Sequence, residues 1–353
     1  MEALAELVGR LPADLPAAIF VVLHIPPHGA SVLPGILSRR GALPARHPED
    51  GEVVRRGQVY VAPPDHHLLL RQDGNALTVR LTRGPAENGH RPAVDTLFRS
   101  AARAAGPRVA GVILAGTLDD GTAGLEAVKI RGGIALVQDP EEALFSSMPR
   151  SAIENVSVDY VQPLAALALT LTRLAKGGGE LTEGAAERPV LEMLATEDDV
   201  AALDADALET PRAGRPSGFS CPDCHGVLWE AQEGKMLSYR YRVGHAFSPE
   251  SLLASQSEYL EEALWSALRA LKESAALAER LQGRAEDRGH GLAAARFAEQ
   301  AGDAHQRAQT IRTVLSGGQV IVQSGPPSAE ENAQTAPVPV TPLEEPTPQE
   351  NNP

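Results

Sequence analysis

The run that decides the fold is Val109-Ala110-Gly111-Val112-Ile113-Leu114-Ala115, then Gly116-Thr117-Leu118-Asp119-Asp120-Gly121, then Thr122-Ala123-Gly124-Leu125-Glu126-Ala127-Val128-Lys129-Ile130, closing on Gly132-Gly133-Ile134-Ala135-Leu136-Val137. Val109–Ala115 and Ile134–Val137 are unbroken apolar runs of strand length, as expected of strands covered on both faces. The segment between them reads as a helix, ended by the glycine pair. Strand, loop, helix and strand make a βαβ unit, which implies parallel pairing and a right-handed crossover.

Working outward, Ala17-Ala18-Ile19-Phe20-Val21-Val22-Leu23 is another continuous apolar run. Shorter strands are predicted at Val59–Ala62, Leu68–Leu70 and Leu77–Leu81, the last two joined by the hairpin signal Asp73-Gly74-Asn75. Residues 1–175 are therefore expected to form an α/β domain: a doubly wound, mostly parallel sheet with helices on both faces and a small antiparallel insertion.

The 353 residues carry a formal net charge of -14, and two segments account for all of it. Glu180–Glu209 contributes -9 and Gly318–Pro353 contributes -5, so the remainder balances to zero. The first segment lies in a stretch, 176–216, that reads as an acidic flexible linker. The tail, 318–353, carries eight prolines after Ser324 and reads as disordered. Between them, 217–248 is a short ribbon-like module holding both cysteines, and 249–317 is a helical hairpin. Ser248 followed by Pro249-Glu250 is a good helix start. Leu253, Leu260, Leu264, Leu268, Leu271, Ala275 and Ala278 form one stripe, and Phe297, Ala301, Ala304, Ala308, Ile311 and Leu315 the other. These two stripes are expected to bury against each other. Net acidity argues against nucleic-acid binding, since phosphate repels it. No apolar run reaches the roughly 18 residues of a membrane span. Two cysteines exclude a disulfide framework, so a cytoplasmic location is expected.

In open α/β sheets, chemistry gathers at the carboxyl ends of strands. His24 follows one such strand and Asp119-Asp120-Gly121 another. A histidine and a carboxylate from separate strand ends suit the base and orienter of a nucleophilic triad. A packed or solvated histidine is the plainer reading of that spacing alone. His66, His67 and His90 lie in loops near the same cleft, whereas His28, His47, His290 and His305 are expected to be solvated.

Five pieces in order resemble the catalytic domain of CheB-type protein-glutamate methylesterases: Phe20–Pro26, Gly57–Leu68, Asn88–Phe98, Gly116–Gly124 and Ser147–Ile153. The resemblance implies hydrolysis of γ-glutamyl methyl esters on chemoreceptor helices, with glutamine deamidation as a second activity, through a Ser-His-Asp triad that needs no cofactor. His24 corresponds to the family's histidine and Asp120 to its aspartate, with Asp119 the neighbouring position. Thr117, where the family usually has methionine after the glycine, is placed to offer its amide to an oxyanion. His90 and Arg91 are candidate substrate contacts, Arg91 either ordering its loop or meeting acidic receptor residues. The implied partners are a methyl-accepting chemoreceptor and the opposing methyltransferase, in a phosphorelay setting. The family's serine sits in a Gly-Ala-Ser-x-Gly-Gly turn, and Met1–Leu7 matches residues just after it. The serine is thus expected ahead of Met1, from a longer reading frame, because losing a core strand would expose apolar surface and unpaired backbone. Residues 1–353 by themselves are expected not to hydrolyse esters. The alternative is a catalytically inactive CheB-like interaction or scaffold protein.

Cys221-Pro222-Asp223-Cys224 is half of a zinc site by spacing, and His245 is the candidate third ligand. The segment resembles an extension that follows some CheB-type domains, where Cys-Pro-x-Cys is answered by Arg-Cys-Arg-Val-Gly-His. Here Tyr241 stands in place of that third cysteine. A zinc ion held by Cys221, Cys224 and His245 and a metal-free ribbon packed on Phe219, Trp229 and Tyr239 both remain open.

Overall fold

A computed structural model describes residues 1–28, 31–177, 199, 201, 214–233, 236–241 and 244–317. In chain order the first part holds α1 (Glu2–Gly9), β1 (Ile19–Val21), α2 (Leu33–Arg40), β2 (Ala45–Arg46), β3 (Val59–Val61), β4 (His67–Asp73) and β5 (Ala76–Thr82). It continues through α3 (Val94–Ala105), β6 (Ala110–Ile113), α4 (Thr122–Ile130), β7 (Ile134–Gln138), α5 (Ser147–Asn155), β8 (Tyr160–Gln162) and α6 (Leu164–Ala175). Four strands follow, β9 (Arg215–Ser220), β10 (Val227–Glu233), β11 (Met236–Arg240) and β12 (Ala246–Phe247), and then two helices, α7 (Pro249–Asp287) and α8 (Gly291–Gly317).

The βαβ unit forms as expected: β6 pairs in parallel with β7 through Ala110–Ile134 to Ile113–Val137, and β7 with β8. A second parallel sheet has the order β1-β3-β2, while β4 and β5 form the separate antiparallel hairpin. Alternate residues on these strands serve two cores. Tyr60, Ile113, Ala135 and Val137 face α3, α4 and α5, whereas Val59, Val61 and Leu136 face α1, α2 and α6. That two-sided burial is why the strands read as continuous apolar runs.

Beyond this domain, β12-β11-β10-β9 is an antiparallel sheet. β9 begins at Arg215, two residues ahead of the expected boundary at 217, because Arg215 pairs in register with Glu230 and its guanidinium meets that carboxylate at 2.7 Å. Most of the expected linker lies outside the described residues. Between its two ends only Asp199 and Ala201 are described, and both lie against the α/β domain. Asp199 meets Arg103 at 2.6 Å, and Ala201 is buried where its carbonyl approaches Gly84. The tail, 318–353, lies wholly outside the described residues.

α7 and α8 pack as a hairpin on Leu268, Ala275, Ala278, Ala285 and Ala294, Ala301, Ala304, Ala308. The upper part of the α7 stripe departs from expectation: Leu253 and Leu260 are exposed. With 39 residues against 27, α7 outruns α8. Its first turns instead turn Leu252 onto the ribbon core of Cys221, Leu228, Tyr239 and Phe247. Among the described residues no helix is long and apolar enough to cross a membrane.

Candidate active site

The loop from β6 to α4 is shaped to present Asp120. Leu118 adopts φ +59 and Gly121 φ +96, and a Cβ at Gly121 would lie 2.6 Å from Ile113 and 2.7 Å from Val94. A branched residue such as Leu118 at positive φ is costly, and such strain concentrates at functional sites. The turn delivers the Asp120 carboxylate to the first turn of α3. There Oδ2 accepts from the Val94 amide at 2.7 Å and Oδ1 from the Asp95 amide at 3.2 Å. These are among the amides a helix start leaves unpaired, and they favour an anion.

His24 stands just past the end of β1, and its Nε2 meets Asp120 Oδ2 at 2.7 Å. Asp120 is 2 % exposed in its side chain and His24 26 %. Burial pushes the Asp120 carboxyl up, yet the His24 hydrogen bond and charge, with the α3 amides, outweigh burial and hold it below the usual carboxylate range. An ionised carboxylate only accepts, so His24 Nε2 must carry the proton, leaving Nδ1 of the neutral ring as a base.

The His90 ring stacks on His24 with centroids 3.8 Å apart and planes 15° from parallel. Burial, then the neighbouring His24, hold His90 below the usual imidazole range. Thr117 is exposed at the mouth of the loop. The preceding Gly116 amide is engaged by the Phe145 carbonyl at 2.9 Å. The Arg91 guanidinium is committed within the domain: it donates to Asp65 at 2.9 and 2.6 Å and to the carbonyls of Arg83 and Gly84. These contacts order the loop that carries Arg91, whose side chain stays 29% exposed.

His67 does not line the cleft. It is fully buried, with Nε2 on the Pro85 carbonyl at 2.9 Å and Nδ1 on Thr96 at 3.1 Å. His66 turns back onto the Pro64 carbonyl. His47 and His305 are likewise engaged, with the Val61 carbonyl and with Glu279.

Two buried residues carry no chemical signature of their own in the sequence, yet surround Asp120. Asn88 donates from Nδ2 to Asp120 Oδ1 at 3.1 Å and to Asp95 Oδ2 at 2.9 Å. Burial, followed by the Asp120 charge, pushes the Asp95 carboxyl well above its usual range, while the Gly124 amide contacts its Oδ1 at 2.6 Å. Asp119 faces the other way. Burial drives it up to about 7, partly opposed by the hydrogen bond it accepts from Ser248 at 2.7 Å.

In the ribbon, His245 Nδ1 lies 3.4 Å from Cys221 Sγ and 3.3 Å from Cys224 Sγ. Burial pushes the Cys221 thiol up to about 11, partly opposed by the Cys224 and Asp223 amides that point at its sulfur. A tetrahedral zinc with bonds of the usual length would set sulfur and nitrogen about 3.6 Å apart, so the three donors fit that ion. Tyr241 does not join them; its ring packs over Gly226, whose added Cβ would meet it at 2.1 Å.

The family model described as CheB methylesterase matches residues 1–171. The protein-glutamate methylesterase/protein-glutamine glutaminase 2 of Methanosarcina mazei is 35% identical over 178 residues, covering 49% of this chain and 48% of that protein. The protein-glutamate methylesterase/protein-glutamine glutaminase of Geobacillus kaustophilus is 39% identical over 173 residues, covering 49% of this chain and 50% of that protein. The chain thus spans about half the length of the curated relatives it matches. The solved Thermotoga maritima CheB methylesterase catalytic domain is 36% identical, with 49% of this chain and 92% of that one aligned at a TM-score of 0.48. Residues 1–171 thus match the CheB methylesterase family model, and this part of the chain is similar to both of these methylesterase/glutaminases.

Proposed function

We propose that the α/β domain hydrolyses glutamyl methyl esters on a chemoreceptor-type signalling protein in the cytoplasm, and deamidates receptor glutamines by the same route. The observation that carries this reading is the 2.7 Å contact between His24 Nε2 and the buried Asp120. Asp120 fixes the tautomer and stabilises the imidazolium, and His24 Nδ1 takes the proton of a serine hydroxyl as it attacks the ester carbonyl. His24 then returns the proton to the departing methanol, and water repeats the sequence to release the glutamate. The Thr117 amide is assigned to the oxyanion and the His90 ring to the wall beside His24. The serine would be supplied by the family's Gly-Ala-Ser-x-Gly-Gly turn.

The test compares residues 1–353 with an N-terminally longer chain carrying the family's serine turn, assayed for methanol release from a methylated receptor. The longer chain is expected to release methanol and its His24→Gln form to lose nearly all of that activity. Undiminished release by the His24→Gln form would overturn the assignment. A pull-down with the receptor and with the opposing methyltransferase tests the proposed partners.

The ribbon is proposed to hold a zinc ion on Cys221, Cys224 and His245, on the strength of their converging donor atoms. Bound there, the ion would act as a structural cross-link between the knuckle and the β11–β12 turn. Elemental analysis is expected to find close to one zinc per chain, and Cys221→Ser to remove most of it.

A further inference from the structure

The catalytic pair and the C-terminal module meet at one side chain. Asn88, 7% exposed and at φ +53, has its amide between two buried carboxylates on one side and the ribbon-to-α7 junction on the other. Its Nδ2 donates to Asp120 and Asp95, as described above. Its Oδ1 accepts from the Ser248 amide at 3.0 Å and the Ser251 hydroxyl at 3.1 Å. Its own backbone amide donates to the Ala246 carbonyl at 2.7 Å.

An asparagine amide offers two donors and two lone pairs, and all four are used here. Reversing the amide would set its oxygen against two carboxylates and its nitrogen against an N–H donor, so only one orientation satisfies the site. The junction supplies both donors that hold Oδ1 in place. Ser248 adds a second tie, donating to Asp119, the residue beside Asp120, at 2.7 Å. These contacts join residues 129 to 163 positions apart in the chain.

We infer that the C-terminal module is a positioning element of the catalytic pair: the junction Ala246–Ser251 orients Asn88, and Asn88 holds Asp120 against His24. Asn88, Ser248 and Ser251 are positioning residues and none is assigned contact with substrate. This inference rests on the proposed roles of His24 and Asp120. It also gives the ribbon a part in the reaction that the α/β domain alone does not contain.

The measurement is the tautomer ratio of the neutral His24 ring in residues 1–353, read from imidazole 15N shifts with isotope-labelled histidine. His24→Gln identifies the signals. In the unsubstituted chain the Nε2–H form is expected to dominate. Ser251→Ala is expected to shift the ratio about fivefold toward Nδ1–H, the effect of one ordinary hydrogen bond. Ser251→Thr, which keeps the hydroxyl, should restore it. Asn88→Gly, which retains the positive φ without the amide, is expected to match or exceed Ser251→Ala. An unchanged ratio in both Ser251→Ala and Asn88→Gly would overturn the inference, and so would an unsubstituted chain with no Nε2–H preference. Failure of the functional reading shows separately, as ester hydrolysis by the longer chain that survives His24→Gln.

Discussion

At the scale of single residues, three carboxylates within one loop and one helix turn are tuned apart. Asp120 receives two helix amides, an asparagine and an imidazole, and stays ionised. Asp95 and Asp119 lack that set of donors, and burial drives both upward. Replacing Asp120 by Asn would leave the shape but remove the charge that sets the tautomer, so activity in the longer chain should fall by about 10⁴-fold in kcat. Initial-rate assays of methanol release measure this. Stability carries the opposite signature at Asp119. A carboxyl whose folded value is raised to about 7 binds a proton in the native state that the unfolded chain has already lost. Stability should therefore decline as pH rises from about 4 towards 7, a slope shared with Asp95. Asp120, held low, has the reverse sign and loses its contribution only in acid. Asp119→Asn should flatten the decline, as followed by urea unfolding at a series of pH values. His24 and the Asp119-Asp120 pair were visible in the sequence as polar residues at strand ends. Asn88 and Asp95 stood out only as members of the family-like segment Asn88–Phe98, because an uncharged amide and a helix-start acid look alike in solvent and in a buried network.

At the scale of elements, the site depends on how closely α3 and α4 cross. Gly124 lets them approach: a Cβ there would lie 2.6 Å from Phe98 Cβ and 2.9 Å from the Asp95 backbone. Gly124→Ala should destabilise the domain by about 1–3 kcal/mol and displace the Asp95 and Asp120 network with it. Urea unfolding together with the His24 tautomer ratio would register both effects. The helical hairpin follows a similar rule with alanine in place of glycine. Ala304→Leu, at a 6% exposed position on the seam, should cost about 1–3 kcal/mol through overpacking, measured by thermal unfolding. The heptads of both helices were legible from spacing. The exposure of Leu253 and Leu260 was not, since a repeat gives the face of a helix and not the length of its partner.

At the scale of the whole molecule, the net charge of -14 belongs to two segments largely or wholly outside the described residues, and the folded parts carry none of the surplus. A chain ending at residue 317 should therefore keep the unfolding midpoint and the His24 tautomer ratio of the full chain, while Ser251→Ala should not. Differential scanning calorimetry and the same 15N measurement separate the two cases. The two-sided sheet, the His24 and Asp120 strand ends and the cysteine knuckle were all determined by the sequence itself. Each rests on local periodicity, turn chemistry or the spacing of a few residue types. What the tertiary structure alone decided is that the ribbon-to-α7 junction closes on Asn88 behind Asp120, that the Arg91 guanidinium meets Asp65 and the Arg83 and Gly84 carbonyls, and that His67 is buried. The Asn88 contacts are hydrogen bonds between groups about 160 positions apart in the chain. Their partners are chosen by how two separately folded surfaces meet, and no local pattern records that.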